Sequence, residues 1–364
     1  MKILWFNHRD PRHPEAGGAE VRMREICKRL SGKGCSVTLF CEQWKGGMNE
    51  DFVDGIRIVR AGGKVGVHFK APYMLMKMED DYDVVVDDIA HAVPWLSSLF
   101  TKKPVIGQIH HVHQEVLSQE LPRSLANGIA LAEKTLKHFY KTLIAVSEST
   151  KKTIVEKIGV PANRIVVIQN GVDCNAYRPS KKATTPTILW VGRVKKYKRI
   201  EHFLLAFKMV LREVHNVKLV VVGHGDYLWT IKEFAKKLRL RNVVFKGRVS
   251  EREKTMLMGS SWVVVSTSQV EGWGMTLTES AACKTPAVAY NVLGVRDSIV
   301  NNVTGLLVED GDIRALAKSL VRILSDFKLR TELSKNALKH ANQFSWDHSA
   351  EKFRNVLEWV IGAN

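Results

Sequence analysis

Residues 260–290 read SSWVVVSTSQVEGWGMTLTESAACKTPAVAY, and this stretch decides the fold of the chain. Its apolar, β-branched start predicts a buried strand, and a glycine-rich loop then leads into a helical pattern. The stretch ends in a second apolar run, AVAY, which predicts another strand. Because strands that alternate with helices form parallel sheets, the stretch predicts one repeat of a doubly wound α/β domain.

The same alternation extends over the whole chain. Apolar runs in the first half predict strands at KILWF (2–6), SVTLF (36–40), IRIV (56–59), DVVVDD (83–88), PVIGQIH (104–110), TLIAV (142–146) and RIVVIQN (164–170). A second series predicts strands at TILWVG (187–192), KLVVVG (218–223), NVVFKG (242–247), WVVVS (262–266) and AVAY (287–290). The polar stretch SKKATTP at 180–186 separates the two series and has the composition of a linker. We therefore expect an α/β fold of two Rossmann-like, doubly wound parallel-sheet domains facing a cleft, with residues 1–180 in the first and 181–344 in the second.

Length and composition are those of an intracellular globular protein. The chain has 364 residues, of which 45% are hydrophobic and 25% charged, and this suits two globular domains. No apolar run approaches the ~18 residues of a membrane span, and the apolar part of MKILWFNHRD is too short for a secretory signal. The five cysteines are scattered without a C-x-x-C pair, which argues against disulfides and against zinc. We therefore expect reduced thiols and a cytoplasmic location.

Two acidic residues bracket the glycine-rich loop of the opening stretch. Glu271 is expected on the loop and Glu279 inside the following helix, while Gly272 and Gly274 leave room for a ligand beside the main chain. The helix N-terminus offers free backbone N–H groups. Two carboxylates at opposite ends of such a turn suit a ligand with hydroxyls at both ends, as a nucleotide sugar has.

Other loops that follow strands carry residues suited to phosphate. Arg193 and Lys198 follow the strand that ends in VGR and could clamp a diphosphate, although a solvated basic loop would look the same. Gly17 and Gly18 could bring a backbone N–H to a phosphate or could only open a helix. Gly223 is compatible with phosphate approach and equally with a plain turn. The G-x-G-x-x-G fingerprint is absent from these loops, which counts against a nicotinamide or flavin oxidoreductase.

Three histidines, at positions 110, 111 and 113, follow the strand PVIGQI. His111 and His113 could be two metal ligands, but no nearby carboxylate or cysteine completes a set, so no metal site is expected. A strand-end histidine that donates to a sugar hydroxyl is favoured instead. Asp87 and Asp88 are expected to cap a helix.

Taken together, these segments resemble glycosyltransferase family 4, whose members are retaining enzymes of the GT-B architecture. The motifs occur in that family's order over nearly the whole chain: GGAE (17–20), His110, AVSEST (145–150), NGVD (170–173), VGR (191–193) with Lys198, EGWGMTLTE (271–279), TPAVA (285–289) and TGLLV (304–308). The chain departs from the family at Lys284, where glycine is common.

The resemblance implies a nucleotide-diphosphate sugar, with UDP or GDP most expected, bound to the second domain, and an acceptor bound to the first. It implies that the helix over 345–364 crosses back to the first domain. The catalytic residues implied are Glu271, Arg193, Lys198 and His110, with His111 as an alternative to His110. The donor-binding residues implied are Gly18, Gly192, Gly223, Gly272, Trp273, Gly274, Met275 and Glu279. Front-face displacement is implied, with no metal, no cofactor and no protein nucleophile, and double displacement through Glu271 ranks lower.

The acceptor remains open between a glycan or lipid-linked sugar and a simple sugar or sugar phosphate, as a disaccharide synthase would use. The net charge of +18 also allows a nucleic-acid-binding protein, but no nucleic-acid motif supports that alternative. Basic and apolar residues mix in HFKAPYMLMKM (68–78) and LPRSLANGIALAEKTLKHFYK (121–141). Both segments could lie on an anionic membrane or pack as ordinary amphipathic helices.

Overall fold

The computed structural model describes residues 1–90, 93–112, 114 and 122–363. The chain divides into two compact units, Met1–Gly171 with Trp346–Asn364 (unit 1) and Val172–Ser345 (unit 2). The boundary between the two units therefore lies between Gly171 and Val172. The linker composition of residues 180–186 predicted it near residue 180. The Val172 N–H already donates to the Phe344 carbonyl, a backbone bond inside unit 2.

Unit 1 is built on an eight-stranded sheet in the order β3-β4-β2-β1-β5-β6-β7-β8. Its strands are β1 (Lys2–Phe6), β2 (Ser36–Cys41), β3 (Glu50–Val53), β4 (Ile56–Arg60), β5 (Val84–Ile89), β6 (Val105–Ile109), β7 (Thr142–Ala145) and β8 (Ile165–Val167). All neighbouring pairs are parallel except β3 and β4.

The edge strand β3 was not predicted from the sequence. It pairs with β4 through a two-residue turn in which Asp54 and Gly55 have φ of 51° and 83°. Positive φ at both turn positions is the requirement of a type I′ hairpin, which Asp-Gly satisfies. The Asp54-Gly55 pair was therefore the sequence feature from which the β3–β4 hairpin could have been predicted.

Among the described residues, the α-helices of unit 1 before the boundary are α1 (Gly18–Gly32), α2 (Gly63–Lys77), α3 (Arg123–Phe139) and α4 (Glu148–Thr153). In α1, Met23, Ile26, Cys27 and Leu30 recur at helical spacing and are fully buried. The sequence pattern thus fixes the face that α1 turns to the sheet.

Unit 2 has a six-stranded, all-parallel sheet in the order β11-β10-β9-β12-β13-β14. Its strands are β9 (Thr187–Val191), β10 (Lys218–Val222), β11 (Val243–Gly247), β12 (Val263–Ser266), β13 (Ala287–Tyr290) and β14 (Gly305–Val308). Its helices are α5 (Ile200–Val210), α6 (Leu228–Lys237), α7 (Glu251–Ser260), α8 (Met275–Ala282), α9 (Val295–Ser298), α10 (Ile313–Ser325) and α11 (Phe327–Ala341). Lys284 has φ of 57°, a left-handed conformation that explains why glycine suits this position. The predicted fold class, two α/β domains on parallel sheets, is confirmed.

The last helix, α12 (Trp346–Gly362), belongs to unit 1 and packs on α1. Phe353 is fully buried and stacks on Trp5 of β1, with ring centroids 5.0 Å apart. Arg29 of α1 donates to Asp347 at 2.8 Å. The apolar stripe of α12 is therefore buried on the elements that open the chain.

None of the helices in the described part of the chain has both the length and the apolar character that a bilayer span requires. All five cysteines are free thiols, and only Cys174 is exposed.

Candidate functional site

Each sheet has a topological switch point, where the connections from two neighbouring strands lead to opposite sides of the sheet. In unit 2 this point lies between β9 and β12, and in unit 1 between β1 and β5. Ligands of open parallel sheets bind beyond the carboxyl ends of the strands at such points. The loops after β9 and β12 carry Arg193, Lys198 and Glu271, so the sheet order brings these predicted residues to one place in unit 2.

Lys198 and Glu271 form an ion pair at this point of unit 2. Lys198 Nζ lies 2.5 Å from Glu271 Oε1, although the two residues are 73 positions apart in sequence. Ser268 Oγ donates to the same carboxylate oxygen at 2.7 Å, and Thr267 Oγ1 donates to the Lys198 carbonyl at 2.9 Å. Among the described residues, both side-chain donors to the Glu271 carboxylate use Oε1, so Oε2 is the oxygen left for a ligand hydroxyl.

The charges around Lys198 suit an anionic ligand. Burial opposes the ammonium charge, but the neighbouring Glu271 carboxylate outweighs burial and raises the pKa of Lys198. Arg193 is close enough to lower that pKa in turn. Two cations that repel each other across a half-buried loop are stabilised by an anion placed between them.

The loop that follows Glu271 is held by close backbone contacts. A Cβ on Gly294 would lie 2.1 Å from the Glu271 carbonyl oxygen, so only glycine fits there. Gly274 has φ of 79° and directly precedes α8, which begins at Met275. Trp273 is buried against Phe344 with ring centroids 5.0 Å apart, and among the described residues its indole N–H has no hydrogen-bond partner. The N-terminus of α8 is thus fixed in place beside Glu271.

Glu279 lies in α8, as predicted, and is a buried member of a separate polar cluster. Lys254 Nζ lies 3.3 Å from Glu279 Oε2 and 2.9 Å from Glu251 Oε2. The Tyr177 hydroxyl donates to Glu251 at 2.8 Å. Burial raises the pKa of Glu279, and Lys254 opposes that rise. The carboxylate is therefore oriented by Lys254, which the sequence reasoning did not single out.

The strand-exit glycines of unit 2 have a packing role. Gly223 has φ of 139°, and a Cβ there would lie 1.8 Å from the Gly192 carbonyl oxygen. The exits of β9 and β10 could not approach this closely with any side chain at position 223. The contact of either glycine with phosphate stays a prediction.

In unit 1, the loop after β1 leads into α1 through Gly17 and Gly18. The Gly17 N–H donates to Glu20 Oε2 at 2.6 Å, which caps the helix. The predicted phosphate contact at Gly18 therefore depends on N–H groups of the first turn that follow Gly17.

His110 directly follows β6, and its Nε2 lies 2.6 Å from Asp88 Oδ1. Asp88 is buried in β5 and also accepts hydrogen bonds from Trp5 and Gln108. Asp87 accepts from Ser97 and Tyr140, and burial raises its pKa to about 6. The expectation that these two aspartates cap a helix holds only for Asp87, which accepts from the Ser97 N–H at the start of the short 3₁₀ helix Ser97–Leu99, whereas Asp88 binds side chains of β1, β6 and His110.

The described part of the chain contains no cluster of side chains suited to bind a metal ion. Within it, no group of three or more His, Cys, Asp or Glu side chains is arranged to hold a metal ion. His113 lies outside the described residues, so the pair of His111 and His113 stays a sequence-based interpretation.

The chain is similar to known proteins both in sequence and in fold. The family model for glycosyl transferases group 1 matches residues 176–340, and the model for glycosyltransferase family 4 matches residues 16–176. An uncharacterized glycosyltransferase of Methanocaldococcus jannaschii is 28% identical and covers 94% of each chain. Sucrose-phosphate synthase of Thermosynechococcus elongatus superposes over 100% of both chains with a TM-score of 0.86 at 20% identity. Anabaena HepE in complex with UDP-glucose superposes over 98% of this chain and 99% of its own, with a TM-score of 0.80 at 20% identity.

These matches confirm the resemblance inferred from the ordered motifs. Since the two family models together cover residues 16–340, the chain belongs to the family 4-like glycosyltransferases with the GT-B architecture.

Proposed function

We propose that the protein transfers a hexose from a nucleotide-diphosphate sugar to a glycan or lipid-linked acceptor with retention of anomeric configuration. The observation that carries this proposal is the pair of Lys198 and Glu271, with Arg193 nearby, at the switch point of unit 2. It places cations that can bind a diphosphate beside a carboxylate that can bind sugar hydroxyls.

The comparisons support a sugar nucleotide and leave two acceptor classes. HepE, which shares the fold, was solved with UDP-glucose, and this favours UDP among the possible donors. The likeness to sucrose-phosphate synthase keeps the alternative of a simple sugar or sugar phosphate as acceptor.

Each site residue has a role in the proposal. Lys198 and Arg193 neutralise the diphosphate, Glu271 Oε2 accepts from hydroxyls of the transferred sugar, and Glu279 accepts from the ribose. His110 contacts the transferred sugar. Backbone groups complete donor binding at Gly18, Gly192, Gly223, Gly272, Trp273, Gly274 and Met275.

The chemistry we favour is a single front-face displacement. The acceptor oxygen bonds to the anomeric carbon on the face from which the diphosphate departs, and the acceptor's proton passes to the departing diphosphate oxygen. Glu271 is a poor candidate for a covalent nucleophile because the Lys198 ammonium and the Ser268 hydroxyl draw negative charge to Oε1, which weakens Oε2 as a nucleophile. The two cations supply the charge that a metal ion would otherwise bring to the leaving group.

The test is a thermal-shift panel of UDP-, GDP-, ADP- and dTDP-sugars, followed by turnover in EDTA. We expect one nucleotide class to raise the Tm and to be turned over without added metal. The anomeric configuration of the product, read by NMR, should match that of the donor. If no sugar nucleotide stabilises the protein, the donor assignment is wrong, and an inverted product or a strict metal requirement contradicts the mechanism.

We also place the enzyme in the cytoplasm, in contact with an anionic membrane. The free thiols suit a reducing compartment. One face of α2 exposes Val65, Phe69, Tyr73 and Met76 by 70%, 80%, 59% and 59%. Lys64, Lys70 and Lys77 are exposed on the same helix. An apolar stripe flanked by lysines is the pattern of a helix that lies on an anionic bilayer.

The variant Phe69→Glu/Tyr73→Glu should reduce binding to vesicles that contain about one-third phosphatidylserine by roughly tenfold or more, since it removes apolar anchors and adds repelled charges. Co-sedimentation at moderate salt measures this. The control is Trp229→Glu/Phe327→Glu, which alters two aromatics of unit 2 that are 73% and 72% exposed. Equal loss in both variants, or no binding by the unmodified protein, would remove the membrane proposal.

A further inference from the structure

A buried polar network lies beneath His110 in unit 1. Asp88 is 1% exposed, and its Oδ2 accepts from Trp5 Nε1 at 3.2 Å and from Gln108 Nε2 at 2.9 Å. Its Oδ1 lies 2.6 Å from His110 Nε2. Arg22, fully buried in α1, donates from Nε to Gln108 Oε1 at 2.9 Å.

The directions of the hydrogen bonds from Gln108 and His110 to Asp88 follow from Arg22, and the 3.5 Å approach of Gln108 Nε2 to His110 Nε2 is then that of two donors that share this carboxylate. A guanidinium has only donors, so the Gln108 side chain must present its oxygen to Arg22 and its NH₂ to Asp88. Burial lowers the pKa of Arg22 to about 10, which still leaves the group charged at neutral pH and able to balance the Asp88 carboxylate. Asp88 therefore acts as an acceptor on all sides, and His110 must donate to it through Nε2–H.

The ring of His110 consequently has a defined tautomer. With the proton on Nε2, the neutral imidazole has its lone pair on Nδ1, which is the ring nitrogen left for a ligand. This reverses the direction expected from the sequence alone, in which the histidine donates to a sugar hydroxyl.

We propose that Asp88 is a positioning residue that fixes this tautomer, so that His110 Nδ1 accepts a hydrogen bond from a hydroxyl of the transferred sugar. The hydroxyl contact rests on the proposed function, whereas the tautomer does not. A buried acceptor discriminates strongly against a ligand that lacks the matching hydroxyl, because its own hydrogen bond is then lost. The network thus makes recognition of that hydroxyl by His110 depend on the buried Asp88 carboxylate.

The first arm of the test reads the tautomer by ¹⁵N NMR of the imidazole nitrogens, with the His110 signals assigned through His110→Gln. The unmodified protein should show a protonated Nε2 and an unprotonated Nδ1. In Asp88→Asn the amide oxygen must stay with Trp5 and Gln108, so the NH₂ faces His110 and the proton should move to Nδ1. The control Asp83→Asn removes a carboxylate that directly precedes β5, the strand of Asp88, and should leave the His110 signals unchanged. A protonated Nδ1 in the unmodified protein would overturn the proposal even if Asp88→Asn failed to fold.

The second arm compares kcat/KM for the parent donor with each of its monodeoxy and deoxyfluoro analogues. With the unmodified enzyme, the deoxy and the deoxyfluoro analogue at one position should both be about tenfold poorer than the parent donor, because neither can donate to Nδ1. In Asp88→Asn the Nδ1–H can donate to fluorine, so the deoxyfluoro analogue should lose most of this disadvantage relative to the parent donor while the deoxy analogue keeps it. If Asp88 had a purely structural role, Asp88→Asn would lower kcat/KM by the same factor for the parent donor and for its analogues, and this result would overturn the proposal. If no sugar nucleotide is turned over at all, the proposed function fails, and the tautomer measurement still stands or falls separately.

Discussion

Replacing Lys198 with methionine should lower kcat for glycosyl transfer by about 10²–10³-fold, with a smaller change in KM. Lys198 Nζ is held at 2.5 Å from Glu271 Oε1 at the point where the leaving diphosphate is expected. Negative charge on that group grows as the bond to the sugar breaks, so the loss of a fixed cation is felt most in the transition state. Methionine keeps most of the side-chain volume, which limits the structural consequence.

Lys195→Met is the matched control for this prediction. Lys195 lies on the same loop, but its ammonium pairs at 2.7 Å with Asp226, whose side chain is 69% exposed. Surface pairs of this kind contribute little, so kcat should stay within about twofold of the unmodified value. Steady-state kinetics of both variants at the same net charge separate a local role from a general effect of charge. Equal losses in the two would show that Lys198 has no special place in the reaction.

The alternation of strands and helices was predictable because buried parallel strands are short, continuous apolar runs. TILWV and KLVVV, for example, became β9 and β10 within a residue of the predicted bounds. Such apolar runs do not reveal the order of the strands in the sheet. It is this order that places the loops after β9 and β12 side by side, so the sequence could name Lys198 and Glu271 but not their ion pair.

The role of Asp88 was missed for a different physical reason. Two acidic residues at the end of an apolar run usually mark the point where a strand leaves the core. Here β5 is buried on both faces, and successive side chains point to opposite faces, so Asp87 and Asp88 enter two different polar clusters. A buried carboxylate needs donors, and those donors come from β1, β6 and the loops, at distances in sequence that no local pattern reveals.

Phe353→Ala should destabilise unit 1 by about 3–5 kcal/mol, the usual result of removing a buried aromatic ring. Phe353 is fully buried and stacks on Trp5 at 5.0 Å, and Trp5 in turn donates to Asp88. The ring therefore joins α12 both to the first strand and to the network beneath His110. Hydrogen exchange of the amides of β1 and α1 should accelerate accordingly.

Trp359→Ala is the matched control, which tests whether the effect of Phe353→Ala depends on burial of the aromatic ring. Trp359 lies on the same helix with 62% of its surface exposed, so its removal should change stability by no more than about 0.5 kcal/mol. Amides of β9 and β10 in unit 2 report whether the Phe353 effect stays within unit 1, because α12 belongs to that unit. Loss of protection confined to β1, α1 and α12 would establish that the C-terminal helix is part of the core of unit 1. Unchanged exchange in β1 would mean that the stack on Trp5 does not hold that strand in place.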